Sequence, residues 1–554
     1  MRSIPARYRR IAGLVAATLA CAGLFALMLP RSSGGPAAPT SASSSSVAHS
    51  ATSASVGMSQ PAAGGSSVAA GTGGSPSSTF TGSGSPSVPR PTTGSSTSPG
   101  SGSPSVPRPT TGSSKSPGSG PTAGITPTPA PSGPPPAGGY FVSTTGNDTG
   151  SGSLSDPWLT LQHAADAAPS GATIYVRGGT YGPFSISRSG LTFTGYSGEP
   201  AVVKGSAAAD DAVHIEGVTS AVLSYLTVTG NVVQYGSGIK VESSSGVTLS
   251  HLIVHDNTSF GIRTNNSSAT IEQSDVYLNH TGIEVSRSGT VSIHNNNIHD
   301  NNKWIDPGVG AQGISFYLTT GSVVAANNRI WGNHTLPGDP LGQEGKAFEI
   351  YGARNVTMTA NVTYDNRQVL ETGTDPSRTP CTNLNFTKNV SYRSNSDPTM
   401  GLILRCADHS LVAANTFVSL DKFAFDISSN YETYGGSVEG LRILDNLVVN
   451  GRTYSIDNAI PASVVMDYNL AYTTTSATAE YGTYDAWVAG HDQTRDLSVF
   501  QGWTGQAAHD IWGLDPLLDS NFCPKAGSPA INAGVSVGLS HSGSAPDIGY
   551  CEVG

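Results

Sequence analysis

One pattern recurs in SGIKVESSSGVTLSHLIVHDN (237–257), FGIRTNNSSATIEQSDVYLN (260–279) and TGIEVSRSGTVSIHNNNIHDN (281–301). Each copy contains short runs of alternating β-branched residues, and Gly, Ser and Asn separate the runs. Alternating runs of this length predict strands rather than helices. A repeat of this period indicates a solenoid. We therefore predict an all-β fold, a right-handed parallel β-helix of about ten coils with three strands in each coil.

Two rows of residues support this stacking. The apolar anchors Ile239, Ile262 and Ile283 are 23 and 21 residues apart, which corresponds to one coil. A polar residue recurs at the turn before the third strand, at Ser274, Asn296, Asn328, Asn361, Asn389, Asn415 and Asn446. Asparagines at the same bend of successive coils can hydrogen-bond to one another. Longer intervals predict loop insertions on a binding face, at 303–312, 336–346, 375–383 and 430–438.

The ends of the repeat region carry their own signals. The segment 159–168 is apolar at helical spacing, which predicts a short N-terminal helix that caps the first coil. Cys381 and Cys406 are 25 residues apart, about one coil, and Cys523 and Cys551 lie near the C-terminus. In an exported domain we expect these four cysteines to form two disulfides.

The N-terminal part of the chain differs in composition. Arginines precede an apolar run at 11–30 that is long enough to span a bilayer. Residues 1–30 therefore form a signal peptide or, as we prefer, an uncleaved signal-anchor transmembrane segment. Residues 31–138 hold no acidic residue and few large apolar ones, and an 18-residue unit at 83–100 repeats at 101–118. This composition predicts a disordered Ser/Thr/Pro/Gly stalk. We expect an exported protein that is anchored at the cell surface or secreted.

The charge of the third segment, 139–554, excludes one class of function. This β-helix domain carries 20 Lys and Arg against 38 Asp and Glu, a net charge of −18. A general nucleic-acid binder needs a basic face, so we expect no nucleic-acid partner. We expect a monomer that contacts the membrane only through its N-terminal segment and has a polysaccharide or cell-wall glycan as its partner.

Two segments resemble a known family. YFVSTTGNDTGSGSLSDPWLTLQHAADAAPSGATIYVRGGTY (140–181) and LDPLL…KAGSPAINAG…DIGYCE (514–552) look like the N-terminal and C-terminal parts of bacterial pectate-lyase-like parallel β-helix proteins. The resemblance covers essentially all of 139–554 and implies the fold. It implies a carbohydrate-related function among lyases, glycosidases, epimerases and proteins without a known reaction. The related lyases hold calcium with clustered aspartates and use a lysine base. No paired-Asp motif occurs here on a strand in the middle of the predicted β-helix, so those roles are not transferred to residues of this chain.

Candidate chemistry lies in the outward residues between the paired apolar anchors. That column is predicted to read Lys240, Arg263, Glu284, Ser315, Glu349, Glu371, Arg405, Asp426 and Asp457. Stacked coils are about 4.8 Å apart, so Glu349 and Glu371 are expected to be neighbours, with Arg405 one rung away. Lys346, at the end of an insertion, can approach the same place. The competing interpretation is a solvated face of alternating charges without a function.

Three functions remain open. In a polysaccharide lyase, Glu349 and Glu371 could hold Ca²⁺ through oxygen ligands, and Lys346 or Arg405 could be the base. In a retaining glycoside hydrolase, the two carboxylates would suit double displacement. The third is a non-catalytic glycan-binding protein of the cell surface. We predict the lyase-like activity first, if the protein is an enzyme. Substrate-binding residues are predicted at Tyr317, Tyr351 and Arg367.

Overall fold

The structure, a computed structural model, describes residues 138–303, 310–335, 344–395, 398–429, 435–458, 460–474, 485–491 and 493–553. The predicted export segment, 1–30, and the stalk, 31–138 except for Gly138, lie outside these residues, as do 304–309, 336–343 and 430–434 of the predicted insertions. Within the described residues no helix is long and apolar enough to cross a membrane.

The described chain forms a right-handed parallel β-helix, as predicted. Successive coils each add one strand to three sheets, and each sheet contains thirteen strands among the described residues. The sequence pattern indicated about ten coils because the first and last coils lack the recurrent Ile and Asn positions.

Sheet 1 contains, in spatial order, β1 (Tyr140–Val142), β2 (Thr173–Val176), β5 (Thr192–Gly195), β8 (Val222–Ser224), β11 (Val247–Ser250), β14 (Ala269–Glu272), β17 (Val291–His294), β20 (Val323–Ala326), β23 (Arg354–Thr359), β26 (Thr382–Thr387), β29 (Leu411–Ala413), β32 (Arg442–Leu444) and β35 (Val465–Asp467). Sheet 2 contains β3 (Gly179–Tyr181), β6 (Ala201–Lys204), β9 (Thr227–Thr229), β12 (Ile253–His255), β15 (Asp275–Tyr277), β18 (Asn297–His299), β21 (Arg329–Trp331), β24 (Val362–Tyr364), β27 (Val390–Tyr392), β30 (Thr416–Val418), β33 (Leu447–Val449), β36 (Leu470–Tyr472) and β39 (Ile511–Trp512).

Sheet 3 contains β4 (Phe184–Ile186), β7 (Asp211–Glu216), β10 (Ser237–Glu242), β13 (Phe260–Asn265), β16 (Thr281–Ser286), β19 (Ala311–Tyr317), β22 (Gly345–Tyr351), β25 (Gln368–Gly373), β28 (Met400–Leu404), β31 (Phe425–Ile427), β34 (Tyr454–Ile456), β37 (Ala486–Val488) and β38 (Gln493–Thr494). The final pair, β37 and β38, is antiparallel.

Two helices close the ends of the described solenoid. Helix α1 (Leu161–Ala167) confirms the predicted cap: Thr160 accepts a hydrogen bond from the His163 main-chain N–H at 3.1 Å, and Leu161 is buried on the inner face. Helix α2 (Leu497–Thr504) buries Phe500 near the last strands. Both helices cover apolar surface that the terminal coils would otherwise expose.

The interior consists of stacked apolar side chains. In sheet 3 one inward column has residues that are at most 2% exposed: Ile239, Ile262, Ile283, Ile314, Phe348, Leu370, Leu402 and Phe425. The three predicted Ile anchors are therefore correctly placed on successive rungs. Removal of this apolar surface from water is the main favourable term that holds the coils together.

The recurrent glycine of the repeat has a steric cause. A Cβ at Gly261 would lie 2.6 Å from the carbonyl oxygen of Gly282, and one at Gly282 would lie 2.7 Å from that of Gly313. Both distances are shorter than van der Waals contact. Coils can approach this closely only because the side chain is missing.

The predicted asparagine row is confirmed and extends from Ser274 to Asn469. At Asn361, for example, Oδ1 accepts hydrogen bonds from the main-chain N–H and the side-chain amide of Asn328, each at 3.0 Å. The Asn361 amide in turn donates to Asn389 Oδ1 at 3.0 Å and to the carbonyl oxygen of Ala325 at 2.9 Å. A second row connects sheets 2 and 3, at Asn231, Asn257, Asn279, Asn301, Asn333 and Asn366.

The residue before each member of the first row, from Ser274 to Asn469, has a left-handed backbone conformation. Its φ lies between 50° and 57° at Gln273, Asn295, Asn327, Ala360, Lys388, Ala414, Asp445 and Tyr468. This conformation turns the chain sharply from sheet 1 to sheet 2.

Both predicted disulfides form. Cys381 pairs with Cys406, and Cys523 pairs with Cys551; the Cα atoms of the two pairs are 5.2 and 5.4 Å apart. The first disulfide joins the residue before β26 to the segment after β28. It therefore restricts the backbone next to Arg405.

The asparagine row yields a stability prediction. Asn361→Ala should lower the free energy of unfolding by about 3 kcal/mol, because buried donors and acceptors on both neighbouring coils lose their partners. The matched control is Asn385→Ala, which removes a half-exposed asparagine from the outer face of β26. Urea denaturation measures both. Equal losses for the two variants would contradict a special role for the ladder.

Candidate active site

The outer face of sheet 3 confirms most of the predicted column. Its central outward positions are Lys240, Arg263, Glu284, Ser315, Glu349, Glu371, Ile403, Asp426 and Ser455. Glu349 and Glu371 pair directly on β22 and β25, as expected.

Two members of the predicted column lie elsewhere. Leu402 and Leu404 both point inward in β28, so strand alternation gives the outward position to Ile403. Arg405 follows two residues later, beyond the strand. In the same way Ser455, rather than Asp457, pairs with Asp426. Each predicted residue lies two positions after the one that pairs in the column, so the prediction gave the correct face of the strand but the wrong position along it.

Lys346 lies between the two glutamates. Its Nζ forms an ion pair with Glu349 Oε1 and lies 2.9 Å from Glu371 Oε2. Arg405 Nη1 donates to Glu371 Oε1 at 3.2 Å. The Nε2 of Gln312, on the neighbouring strand β19, donates to Glu349 Oε2. We call Lys346, Glu349, Glu371 and Arg405 the Lys346 cluster; all four were predicted as site residues, and the structure brings them together.

The cluster is unusually buried for charged residues on an outer face. Lys346 is 6% exposed and Glu349 is 3% exposed. The side chains of Glu371 and Arg405 are 19% and 17% exposed. Charged side chains are seldom buried to this extent unless they are paired. Glu371 and Arg405 are thus the more exposed members of the cluster.

The local environment shifts the pKa values of the two glutamates in opposite directions. Burial raises the pKa of Glu349 above its usual value, and the opposing effect of Lys346 does not cancel this increase. Burial also acts on Glu371, but Lys346 and Arg405 outweigh it and lower the pKa of that carboxyl. Glu349 is therefore the better proton donor and Glu371 the better anion. Two nearby carboxyl groups with opposite pKa shifts are the usual basis for assigning an acid and a base or nucleophile.

The same charges keep Lys346 protonated. Burial alone would lower its pKa, but Glu349 and Glu371 outweigh this effect and raise the pKa well above the usual lysine value. A lysine can act as a general base only when its amine is neutral. In this arrangement Lys346 is suited to hold charge and position the carboxylates.

The arrangement does not readily accommodate calcium. The Lys346 ammonium already provides the cation between Glu349 and Glu371, so a metal ion there would have to displace it. Within the described ranges no group of three or more His, Cys, Asp or Glu side chains is placed to hold a metal ion. Ca²⁺ at these two residues stays a prediction, and no step below depends on it.

The predicted substrate-binding residues lie around the cluster. Tyr317 and Tyr351 pair on β19 and β22, next to the glutamate column. Burial and Glu349 together raise the Tyr351 pKa well above its usual value, so its hydroxyl stays protonated. Arg287 lies over the Tyr317 ring at 5.1 Å from the centroid. Arg367 is half-buried immediately before β25.

Gln312 was not predicted. It lies two residues before the inward Ile314 and pairs with Lys346 in the register of β19 and β22. Its signal was available in the sequence, since each long strand presents more than one outward position. The predicted column contained only the central outward position of each strand, and Gln312 lies at another one.

Residues 140–368 match the family model described as "Pel9A-like, right handed beta helix region". This match confirms the predicted resemblance to pectate-lyase-like right-handed parallel β-helix proteins.

Two curated relatives match shorter segments. Pectate lyase PEL9 of Emericella nidulans is 38% identical over 73 residues, which are 12% of this chain and 18% of that protein. The uncharacterized protein YwoF of Bacillus subtilis is 31% identical over 139 residues, which are 22% of this chain and 29% of that protein. The chain thus spans less than a third of the length of either relative.

Solved structures with a similar fold include a lyase and a glucanase. The crystal structure of pectate lyase Pel9A is 17% identical, covers 74% of this chain and 96% of its own, and has a TM-score of 0.38. The catalytic unit of a GH87 α-1,3-glucanase from Streptomyces thermodiastaticus is 15% identical, covers 72% of this chain and 73% of its own, and has a TM-score of 0.44. These similarities concern the fold alone.

The burial of Lys346 leads to a prediction. Lys346→Met should lower the free energy of unfolding by about 4 kcal/mol, because it leaves two buried carboxylates without their shared cation. The control Lys240→Met removes a more exposed lysine of the same sheet, paired with Glu242 at 2.6 Å, and should cost less than about 1 kcal/mol. Chemical denaturation at neutral pH measures both values. A Lys346 variant as stable as the control would show that the cluster is not held by this cation.

Proposed function

We propose that the protein is an exported glycan-cleaving enzyme and that it hydrolyses glycosidic bonds with Glu349 and Glu371. The observation that supports this proposal is the pair of adjacent glutamates on β22 and β25 whose pKa values are shifted in opposite directions. Glycoside hydrolysis requires one protonated and one ionised carboxyl group on either side of the scissile bond.

The distance between the carboxylates favours retention of configuration. Both contact the Nζ of Lys346, so their oxygens are separated by no more than two hydrogen bonds, about 6 Å. Retaining enzymes place their carboxyl groups about 5 to 5.5 Å apart, whereas inverting enzymes leave room for a water molecule.

The steps then follow from the protonation states. The Glu349 carboxyl gives its proton to the glycosidic oxygen while the Glu371 carboxylate attacks the anomeric carbon, so that the bond to the leaving sugar breaks. Glu349, now ionised, takes a proton from water, and the resulting hydroxide displaces Glu371 from the sugar. Lys346 stabilises the anionic form of whichever glutamate carries the charge, and Arg405 holds Glu371 in its ionised form.

A lyase is the second candidate. Its support is the match of 140–368 to a Pel9A-like family model and of 73 residues to a protein named as a pectate lyase. β-Elimination with Lys346 as base would require a neutral amine, and the two glutamates oppose that state. Arg405, paired with Glu371, faces the same difficulty.

Substitution of the glutamates tests the proposal. Glu371→Gln and Glu349→Gln should each lower kcat/KM by about 10³-fold on the glycan that the wild type cleaves. Glu284→Gln, in the same column but two rungs from Glu349 and three from Glu371, should leave it unchanged. The assay screens pectin, alginate, glycosaminoglycans and neutral glycans, with and without calcium. New reducing ends without ultraviolet-absorbing unsaturated products support hydrolysis, whereas unsaturated products would establish the lyase instead.

The pH dependence of the wild type provides a separate test. The rate should fall as pH rises through the raised pKa of Glu349, because the acid is then lost. It should also fall as pH decreases through the lowered pKa of Glu371, because the nucleophile is then protonated. The profile of kcat/KM should therefore be bell-shaped. A rate that continues to rise above neutral pH would contradict Glu349 as the acid.

A further inference from the structure

A line of buried polar side chains leads into the Lys346 cluster from the N-terminal side. His280 lies at the bend before β16, Thr281 is the first residue of β16, and Gln312 lies on the next strand, β19. The three residues are 1%, 1% and 5% exposed. In the register of sheet 3, Thr281 pairs with Gln312, and Gln312 pairs with Lys346. They therefore form a second column beside the one that contains the two glutamates.

Hydrogen bonds connect this second column in a defined direction. The Thr281 hydroxyl lies 3.3 Å from Gln312 Oε1, and an amide oxygen can only accept, so Thr281 is the donor. A hydroxyl carries one hydrogen, so Thr281 accepts the hydrogen bond that joins it to His280 Nδ1 at 3.0 Å. His280 therefore carries a hydrogen on Nδ1, as it does in one neutral tautomer and in the imidazolium.

This direction fixes the orientation of the Gln312 amide. With Oε1 turned towards Thr281, the amide nitrogen faces the neighbouring strand β22, where Nε2 donates to Glu349 Oε2. The reversed amide would bring its oxygen next to a carboxylate oxygen, which is repulsive, and would require the opposite tautomer of His280. Both ends of the chain of hydrogen bonds therefore favour the same orientation.

The two oxygens of Glu349 thus have different partners. Oε2 accepts from Gln312, on the side of β19, whereas Oε1 contacts Lys346. Lys346 also lies 2.9 Å from Glu371 Oε2, so it retains an anionic partner when Glu349 becomes protonated. Gln312 is held by Thr281 and stays on Oε2. Oε2 then acts as the carbonyl oxygen of the protonated group, and the hydrogen goes to Oε1.

We propose that Gln312, oriented by Thr281, is a positioning residue that places the acidic proton of Glu349 on Oε1. The inference rests on the proposed function, in which Glu349 is the general acid. In that reaction the scissile bond lies between the two carboxyl groups. Oε1 is the Glu349 oxygen that shares Lys346 with Glu371, so a hydrogen on it lies on the side of this gap. A hydrogen on Oε2 would instead face Gln312 and β19.

The same hydrogen bond also acts on the pKa of Glu349. Burial raises this pKa, and a donated N–H opposes the increase because it favours the ionised carboxylate. The titratable groups around Glu349 are Lys346 and Tyr351 on β22, Glu371 on β25 and, at a greater distance, Glu344, Arg405 and His280. From β19 the neighbours are Gln312 and Ser315, which do not titrate. Loss of the Gln312 donor should therefore raise the pKa of Glu349 further.

Direct titration of Glu349 tests the hydrogen bond without an assay of cleavage. In the full chain labelled with ¹³C at the glutamate carboxyls, the NMR signal of Glu349 is the one that Glu349→Gln removes. Gln312→Leu should raise its pKa by about one unit and Thr281→Val by about half a unit, because a hydrogen bond to a charged group contributes roughly one to two units. Thr281→Ser, which keeps the hydroxyl, should leave the pKa unchanged.

The matched control is Gln368→Leu. Gln368 is a buried glutamine that pairs with Lys346 from the other side, on β25, but its amide donates to the carbonyl oxygen of Leu370 at 2.9 Å. Its loss should leave the pKa of Glu349 unchanged. An equal shift in this control would overturn the role of Gln312, because altered burial alone would then explain both results.

Kinetics test where the proton lies. In Gln312→Leu the basic limb of the kcat/KM profile should move to higher pH by the same amount as the pKa of Glu349, whereas a merely structural role would lower the rate without moving the limb. At the optimum, kcat/KM should fall about tenfold on the glycan that the wild type cleaves. The nitrophenyl glycoside of the same sugar should lose less than about twofold, because nitrophenolate leaves without protonation.

The outcomes separate this proposal from the proposed function. An unchanged pKa of Glu349 in both Gln312→Leu and Thr281→Val, with folding confirmed by circular dichroism, overturns the positioning role. Equal kinetic losses on the glycan and on the nitrophenyl glycoside overturn the placement of the proton on Oε1. The expected pKa shifts in a protein that cleaves no glycan support the action of Gln312 on Glu349 and refute the proposed hydrolysis.

Discussion

Each coil of this protein can satisfy its main-chain hydrogen bonds only through the coils above and below it. Strand register is therefore transmitted from rung to rung, from β1 to the last strands of each sheet. A one-residue slip anywhere would turn an inward column outward and break both asparagine rows. The same constraint fixes the spacing of outward side chains. Glu349 and Glu371 are close because their strands are neighbours in the sheet, and a site built in this way needs little further organisation.

Much of this register was predictable from the sequence. The Ile239, Ile262 and Ile283 spacing and the Asn296-to-Asn446 row both reflect the constraint directly, since a solenoid repeats the same environment at each coil. The prediction of the register failed where the outer face of sheet 3 changes from solvated to buried. Ile403 pairs with Glu371 and Asp426 on the neighbouring strands and therefore occupies the outward position of the column. The outer face of the sheet is buried here, so it accepts an apolar residue that a solvated face would not favour.

The composition of the candidate site was predictable, but its internal connections were not. Lys346 was assigned to the site from its place at the end of an insertion, whereas its position between two carboxylates depends on the reach of a flexible side chain. The division of roles between Glu349 and Glu371 depends on how far burial outweighs the neighbouring cations at each position. Neither the position of the Lys346 ammonium group nor the direction of the two pKa shifts can be derived from the spacing of residues along the chain.

The left-handed residues before the asparagine row show which positions can vary. A non-glycine residue in this conformation costs about 1 to 2 kcal/mol, so eight such bends together store strain comparable to the net stability of a typical domain. Within this one chain the strained position is occupied by residues as different as Ala360, Lys388 and Tyr468, while the position after it is asparagine in all three coils. Glycine in place of Ala360 would relieve this strain without removing a side-chain hydrogen bond. Glycine in place of Lys388, Asp445 or Tyr468 would also remove a contact that the side chain makes with the C-terminal part of the chain. The bend itself tolerates many side chains, and some of them have acquired a second role in holding the C-terminal segment.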